Sequence, residues 1–325
     1  MGAGPVGLFA AFQVGLMGLT PCLIDVLEFV GGQCAALYPE KPIYDIPACP
    51  AILASDLIKN LELQAKPFKP ELFLGQTVEE IVKKDSNFIL RTNKSEIKAR
   101  AIIITIGGGA FIPNRPPISD LVSYENKSVF YTVTKKDFFV GKDIVIFGGG
   151  DSAVDWAVIL AEIAKSVVVV HRRDKFRCMP DSLHKLTELS NAGKVKIETP
   201  YQIAGIKGHD GQVTEVEVED QNGARKNFKA DAVLLFFGLT MNAGPIANWQ
   251  IELDKKQIKV TPENMQTNIS GIYAAGDGVI YPGKLKLILT GFSEAALAAR
   301  SIYSYLNPEK LVHFEHSTSR GELFK

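Results

Sequence analysis

The sequence predicts an α/β protein of two Rossmann-like dinucleotide-binding domains. Each has three ββα layers, and the second is inserted into a discontinuous first. Three observations carry this. A glycine turn, Gly2-Ala3-Gly4-Pro5-Val6-Gly7, opens the chain, and a second, Gly148-Gly149-Gly150-Asp151-Ser152-Ala153, lies near its middle. The stretch Thr267 to Asp277 then contains a short apolar strand that delivers Asp277 at its carboxyl end. One short glycine pattern arises easily by chance, whereas two with fitting residues downstream point to two nucleotides.

The physical need is the same at both turns. The first glycine permits a tight strand-to-helix turn, and the second lets the backbone approach a pyrophosphate. The third position must be small for helix–sheet packing, so Ala153 serves as well as glycine. The helix start then offers free N–H groups and a positive dipole end to the phosphates. Gly2, Gly4, Pro5 and Gly7 are therefore candidates at the first turn, and Gly148, Gly150, Asp151 and Ser152 at the second.

The residues downstream of each turn select the nucleotide. After the first, a helix over Leu8–Gly18 and a strand near Pro21–Ile24 lead to Asp25. A carboxylate there accepts hydrogen bonds from both ribose hydroxyls of an adenosine, as in FAD or NAD. After the second, a helix over Val154–Lys165 and a strand over Val167–Val170 lead to His171-Arg172-Arg173-Asp174-Lys175-Phe176-Arg177. Guanidinium groups replace the ribose carboxylate. Arg172, Arg173 and Arg177 match a 2′-phosphate, which favours NADP(H) over NAD(H). The plainer alternative is a solvated basic turn. Alone, Asp277 is a turn residue; after two glycine turns it becomes a candidate ligand, with a long helix starting near Lys286–Ile288 behind it.

A buried strand of about five or six residues should precede the first turn. The sequence opens at Met1-Gly2, so that strand is expected to be missing, leaving unpaired strand edges and a groove in the core. A start codon placed too far downstream, or a clipped chain, would account for it. Residues Gly2–Ile24 carry no charge, but five glycines and the following Asp25 fit a buried dinucleotide helix better than a membrane span or signal segment.

Composition fits a cytoplasmic enzyme. With 325 residues, 46% of them hydrophobic, the chain can bury two cores. Its 36 basic and 36 acidic residues balance, so no bulk field draws nucleic acid or an anionic membrane. Cys22, Cys34, Cys49 and Cys178 form no C-x-x-C pair, which argues against a zinc knuckle or local redox disulfide and suits a reducing compartment. No metal site is expected.

The strand pattern sets the domain boundaries. Runs at Phe88–Arg91 and Ala99–Ile106 end in Gly107-Gly108-Gly109, where direction can change freely. Strands are then expected at Gly193–Thr199, Val213–Asp220 and Ala230–Phe237. The expected division is 1–113 for FAD, 114–238 for NADPH and 239–325 for the remainder of the FAD domain with a tail.

The order of these motifs, with Gly31-Gly32-Gln33 between the first two, resembles the thioredoxin-reductase class of flavoproteins. Where that class carries its Cys-x-x-Cys, this chain reads Phe130-Tyr131-Thr132-Val133-Thr134-Lys135. Without the disulfide, thioredoxin drops out as a direct substrate. What remains is similar to the thioredoxin-reductase-like ferredoxin–NADP reductases, through Gly31 to Lys41, the run 148–157, and the tail with His316 to Ser319. The resemblance implies FAD contacts for Asp25, Gln33 and Asp277. It implies stacking of Tyr38 on the isoalloxazine, and lining by Val78 and Phe111. The helix start near Lys286–Ile288 would face the flavin N1/O2 edge. It also implies a homodimer in which Thr318 reaches the partner's flavin, and ferredoxin or flavodoxin as the one-electron partner. No residue need act as acid or base. Asp181 and His184, at i, i+3 on an expected helix, read as an exposed pair rather than a catalytic one. Two alternatives stay open: a quinone- or oxygen-reducing enzyme on the same scaffold, and a truncated chain that keeps the fold but not FAD.

Overall fold

The computed structural model describes residues 1–242 and 244–310, with the backbone alone at 110–112 and 239–242. The chain forms two compact units, Met1–Phe111 with Met241–Lys325, and Ile112–Thr240.

In the first unit the glycine turn feeds a helix at Pro5–Leu16, three residues earlier than the apolar pattern predicts. Pro5 at the first helical position has its φ preset, and the Leu8 N–H already donates to Gly4 O at 3.0 Å. The helix stops before Gly18, whose φ of +73° leaves the right-handed region. It packs against two further helices, Ala54–Ala65 and Ile288–Leu306. The first of these went unassigned in the sequence, although Leu57, Ile58, Leu61 and Ala65 form one buried helical face. The second begins where the sequence predicts.

The parallel layer of this unit is held together at an unusual place. Cys22–Ile24 pairs with Glu71–Phe73, and Ile102–Ile104 pairs with Ile272–Ala274. Between these pairs lies the start of the chain. The Met1 amine donates to Ile103 O at 2.8 Å. The Met1 carbonyl accepts the Thr105 N–H at 2.7 Å, and the Gly2 N–H donates to Ile24 O at 2.7 Å. Met1 and Gly2 thus bridge both halves in the register of a central parallel strand. Upstream in the same line is a cavity of ≈ 360 Å³, lined in part by Met1, Cys22, Leu23, Ala101 and Ile103. This cavity forms a groove along the line of the Met1–Gly2 segment. Burial holds the Met1 amine below its usual pKa.

The run Ala99–Ile106 divides between two sheets. Glu96–Ala99 completes an antiparallel sheet with Val78–Lys84 and Asn87–Thr92, while Ile102–Ile104 belongs to the parallel layer. Phe88, Leu90 and Ile97 of the antiparallel sheet pack on Ile102, Ile104 and Ile272, which makes the unit a ββα sandwich.

The second unit repeats the plan. Its parallel sheet has the order Val129–Phe130, Ala232–Leu235, Asp143–Phe147, Ser166–Val170, Val195–Glu198. The three inner strands are almost wholly buried, and apart from Asp143 and Ser166 at two of their starts each reads as a continuous apolar run, as strands covered on both faces do. An antiparallel sheet of Gln202–His209, Gln212–Glu219 and Arg225–Lys229 covers one face through Val213, Val216 and Val218. Its first turn, Asp210-Gly211, has positive φ at both residues, which matches strand twist in a two-residue hairpin. The helix Asp151–Leu160 packs on Asp143–Phe147 and Ser166–Val170.

An amide N–H at Met1 would make the same bond to Ile103 without burying an ammonium. Five β-branched residues added ahead of Met1 should therefore occupy the groove and raise the thermal midpoint by roughly 5 °C or more, at about 2–4 °C per kcal/mol in larger domains. A Gly-Ser extension of equal length should not. Differential scanning calorimetry of the two extended chains decides it, and equal midpoints would rule out the groove as a strand acceptor.

Candidate functional site

A cavity of ≈ 470 Å³ opens within the first unit, at the carboxyl end of its parallel strands. Gly2, Gly4, Pro5, Asp25, Gln33, Tyr38, Val78 and Asp277 all contribute to its wall. Most of the residues that the sequence marks for a flavin nucleotide are thus brought to one place. Gly7 is not in this wall. Thr318 lies outside the described residues, as does the side chain of Phe111.

The glycine turn is built by backbone contact. Gly2 has φ +99°, and a Cβ there would lie 2.4 Å from Thr105 O. A Cβ on Gly7 would lie 1.9 Å from Gly2 O, so Gly7 serves close helix–strand packing rather than the wall. Gly4 differs. The nearest atom to its Cβ would be 3.8 Å away, which leaves its open side to the cavity. The Pro5–Leu16 helix has no side-chain cap at its start, so its first N–H groups are available to a ligand.

Asp25 is fixed by the same turn. One carboxylate oxygen accepts the Ala3 N–H at 2.6 Å and the other the Leu27 N–H at 2.9 Å. Each oxygen keeps a lone pair for a further donor such as a ribose hydroxyl. Gly31 and Gly32, with φ of +114° and +54°, bring the next segment in. The Gly31 N–H donates to Ala3 O at 2.8 Å, and a Cβ on Gly32 would lie 3.0 Å from Gly4 Cα. That close approach carries Gln33 and Tyr38 to the wall. The Cys34 thiol lies 3.7 Å from the Tyr38 hydroxyl. Burial, reinforced by Cys34, pushes the Tyr38 phenol well above its usual range, and burial does the same for the Cys34 thiol. Both stay protonated at neutral pH, so Tyr38 offers a face and a hydroxyl, not a base.

Several wall residues gave no sequence signal. Thr105 Oγ1 lies 2.9 Å from Met1 O and 2.8 Å from Gly2 O, pinning the turn. Gln76 is held by Thr92 Oγ1 and Ser95 Oγ, each 2.7 Å from its Oε1. Trp249 donates its indole N–H to Glu79 O at 3.1 Å. Ile288, by contrast, is the helix start that the sequence predicts, and that uncapped start adjoins the cavity. Two helix starts, one cradle open at Gly4 and a carboxylate with spare acceptors form a donor set that fits a dinucleotide.

The second glycine turn lies in the other unit. Gly148 has φ +145°, and a Cβ there would meet Phe236 O at 2.7 Å. A Cβ on Gly149 would meet the His171 ring at 2.4 Å, whereas Gly150 has open space. The helix Asp151–Leu160 has no side-chain cap. The Arg177 N–H donates to Gly149 O at 2.6 Å, so the basic segment folds back onto the turn. Arg172, Arg173 and Arg177 are exposed there, as are Asp151 and Ser152. Asp151 Oδ1 accepts the Met179 N–H at 2.8 Å, which gives that side chain a structural duty. Burial lowers the His171 pKa, and the flanking arginines add to this, so the ring is a neutral spacer against Gly149 and Phe176. Asp181 pairs with Lys185 at 2.6 Å and His184 faces Glu188 at 3.6 Å, so the two do not act together. Among the described residues no His, Cys, Asp and Glu cluster could hold a metal, and no helix is long and apolar enough to cross a membrane.

Comparison with known proteins adds to this geometry. Residues 1–299 match the family model for pyridine nucleotide-disulphide oxidoreductases. The chain is 50% identical to a ferredoxin–NADP reductase of Anaplasma phagocytophilum, over 99% of this chain and 96% of that one. It is 51% identical to one of Acidiphilium cryptum, over 99% and 95%. Among solved structures it is similar to T. acidophilum thioredoxin reductase, with a TM-score of 0.80 at 25% identity over 93% of this chain and 96% of that one.

Gly4 and Gly7 separate binding from folding. Gly7→Ala should destabilise the chain by roughly 1–3 kcal/mol or more, because its Cβ has nowhere to go. Gly4→Ala should melt close to the parent yet bind FAD at least about tenfold more weakly, since its methyl enters the cradle. Parallel melting curves and FAD titrations test the pair; similar melting losses in both would refute the division of roles.

Proposed function

The chain belongs to the pyridine nucleotide-disulphide oxidoreductase family, and we propose that within it the chain works as an FAD-dependent ferredoxin–NADP reductase. It is a flavin- and NADP(H)-dependent oxidoreductase of the thioredoxin-reductase-like type. The observation that carries the reading is the convergence of Gly4, Asp25, Gln33, Tyr38 and Asp277 on one cavity. Its donor set suits FAD, and the first unit is the FAD domain in this reading.

In this proposal the uncapped Pro5–Leu16 helix and the open side of Gly4 hold the FAD pyrophosphate. Asp25, already braced by two backbone N–H groups, takes the adenosine ribose. Gln33 and Asp277 hold the polar chain, and Val78 and Phe111 line the site. Tyr38 supplies an aromatic face for the isoalloxazine, with its phenol kept neutral by burial. When bound, FAD supplies the chemistry that links a two-electron hydride carrier to a one-electron carrier. The residues need only position the partners and exclude water, so no acid, base or metal is required of them.

The second unit is assigned to NADPH. Gly148, Gly150, Asp151 and Ser152 form the phosphate turn, and Arg172, Arg173 and Arg177 grip the 2′-phosphate. His171 and two arginines, rather than a carboxylate, directly follow Val170, which supports NADPH over NADH. The electron partner is ferredoxin or flavodoxin, and a homodimer with Thr318 reaching the partner's flavin completes the proposal. Four free cysteines and balanced charge favour the cytoplasm.

The purified chain should show flavin absorption bands that bleach anaerobically with NADPH but not with equal NADH. A colourless protein that resists reconstitution with FAD would defeat the proposal. Arg172→Ala with Arg177→Ala should raise the KM for NADPH about tenfold or more while leaving that for NADH within about twofold, as loss of charge-assisted bonds to one phosphate requires. Steady-state kinetics with both nucleotides would reveal it.

A further inference from the structure

Among the described ion pairs, Lys284–Glu294 alone has both side chains at 2% exposure. Burying two charges gains little stability, because desolvation offsets their attraction. The pair therefore calls for another explanation, and its partners supply one. Oε1 of Glu294 accepts from Lys284 Nζ and from the Tyr281 hydroxyl, the latter at 2.6 Å. Oε2 accepts the Gly276 N–H at 2.7 Å. Burial, together with Glu294, pushes the Tyr281 phenol up, so it remains a donor.

These donors mark out one loop. It runs from Gly276 to Leu287, includes the short strand Val279–Ile280, and joins the strand Ile272–Ala274 to the helix Ile288–Leu306. Glu294 lies on the second turn of that helix and reaches back to the loop's first residue and to its middle. Asp277, next to Gly276, and Ile288, at the helix start, both line the large cavity. Backbone packing reinforces the arrangement: a Cβ on Gly291 would lie 2.4 Å from Val6 Cγ2, and one on Gly276 would lie 3.4 Å from the same atom. Val6 belongs to the helix that carries the glycine turn. One buried carboxylate thus ties the segment that carries Asp277 to the helix that begins at Ile288, without itself reaching the cavity.

We propose that Glu294, with Lys284 and Tyr281, is a positioning clamp for FAD, holding Asp277 and the start of the helix Ile288–Leu306 in the geometry that binds the cofactor. The proposal rests on the FAD reading above. It differs from simple core stabilisation because what matters is the match between three donors and one two-oxygen acceptor.

Glu294→Gln tests this with little change of shape. A glutamine has one acceptor oxygen, and its NH₂ must then face either the Gly276 N–H or the Lys284 ammonium. Either way a buried donor loses its acceptor, and the Kd for FAD, read by fluorescence quenching on apoprotein, should rise about tenfold or more. The Kd for NADP⁺, which the other unit binds, should stay within about twofold. In the double variant K284M/E294Q the glutamine oxygen can take the Gly276 N–H while its NH₂ donates to the Tyr281 oxygen, and the O–H of the half-buried Tyr281 can turn to solvent. The Kd for FAD should then return to within about threefold of the parent, a coupling that a double-mutant cycle measures directly. An unchanged Kd in E294Q, a double variant as weak as the single, or an equal loss of NADP⁺ affinity would overturn the clamp. If E294Q does not fold, Y281F decides: a Kd raised about threefold supports it and an unchanged one overturns it. A parent chain that takes up no FAD would instead overturn the FAD reading, and the clamp with it.

Discussion

The first unit depends on the backbone approaching itself at the glycine turn without intervening side chains. Gly2 sits against Thr105 O, Gly7 against Gly2 O, and Gly32 against Gly4 Cα. These contacts set the path of the Pro5–Leu16 helix, the seat of Asp25, and the arrival of Gln33 and Tyr38. Hydrogen bonds then lock what sterics permit. Ala3 alone gives its N–H to Asp25 and its carbonyl to the Gly31 N–H. A ligand that enters such a site meets donors already aimed and acceptors already braced, which lowers the ordering cost of binding.

The same architecture appears twice with different chemistry at the strand end. In the first unit a carboxylate follows Ile24, and in the second His171 and two arginines follow Val170. Both units are built on a ββα plan, so what distinguishes the two strand ends is a few side chains rather than the fold. The contrast extends to solvation. Asp25 is half-buried with both oxygens engaged, whereas Arg172, Arg173 and Arg177 are exposed. In the proposed reading, the braced carboxylate suits the hydroxyls of an adenosine ribose and the exposed guanidinium groups suit a 2′-phosphate.

Much of this was legible in the sequence because the relevant constraints are local. The glycine spacings, Asp25, the arginine run and the Gly276-Asp277 pair each lie within one turn or strand end. The buried parallel strands announce themselves as runs such as Asp143–Phe147 and Ser166–Val170. What escaped depends on long-range contact or on polar surfaces. Thr105 meets Met1 and Gly2 across the sheet, and Trp249 reaches Glu79. Arg225–Lys229 is charged and mostly exposed, so no alternation marks it as a strand. The run Ala99–Ile106 reads as one strand because apolarity cannot show that the chain changes sheets at Arg100.

Glu294 illustrates the limit most clearly. In the sequence it is one acidic residue in an alanine-rich helix, where a solvent-facing position is the natural expectation. Its burial is enforced by its neighbours: Gly291, Ala295, Ala298 and Ala299 are small enough to bring that helix close to the glycine-turn helix and its sheet. A large residue there would hold the elements apart and let water reach the carboxylate. The small residues therefore create the low-dielectric setting in which three converging donors become worth a buried charge. The glycine at 276 does the same from the loop side, adopting φ +88° so that its N–H can point at Glu294. Close packing and polar satisfaction are thus one requirement seen from two sides, and only the assembled structure reveals it.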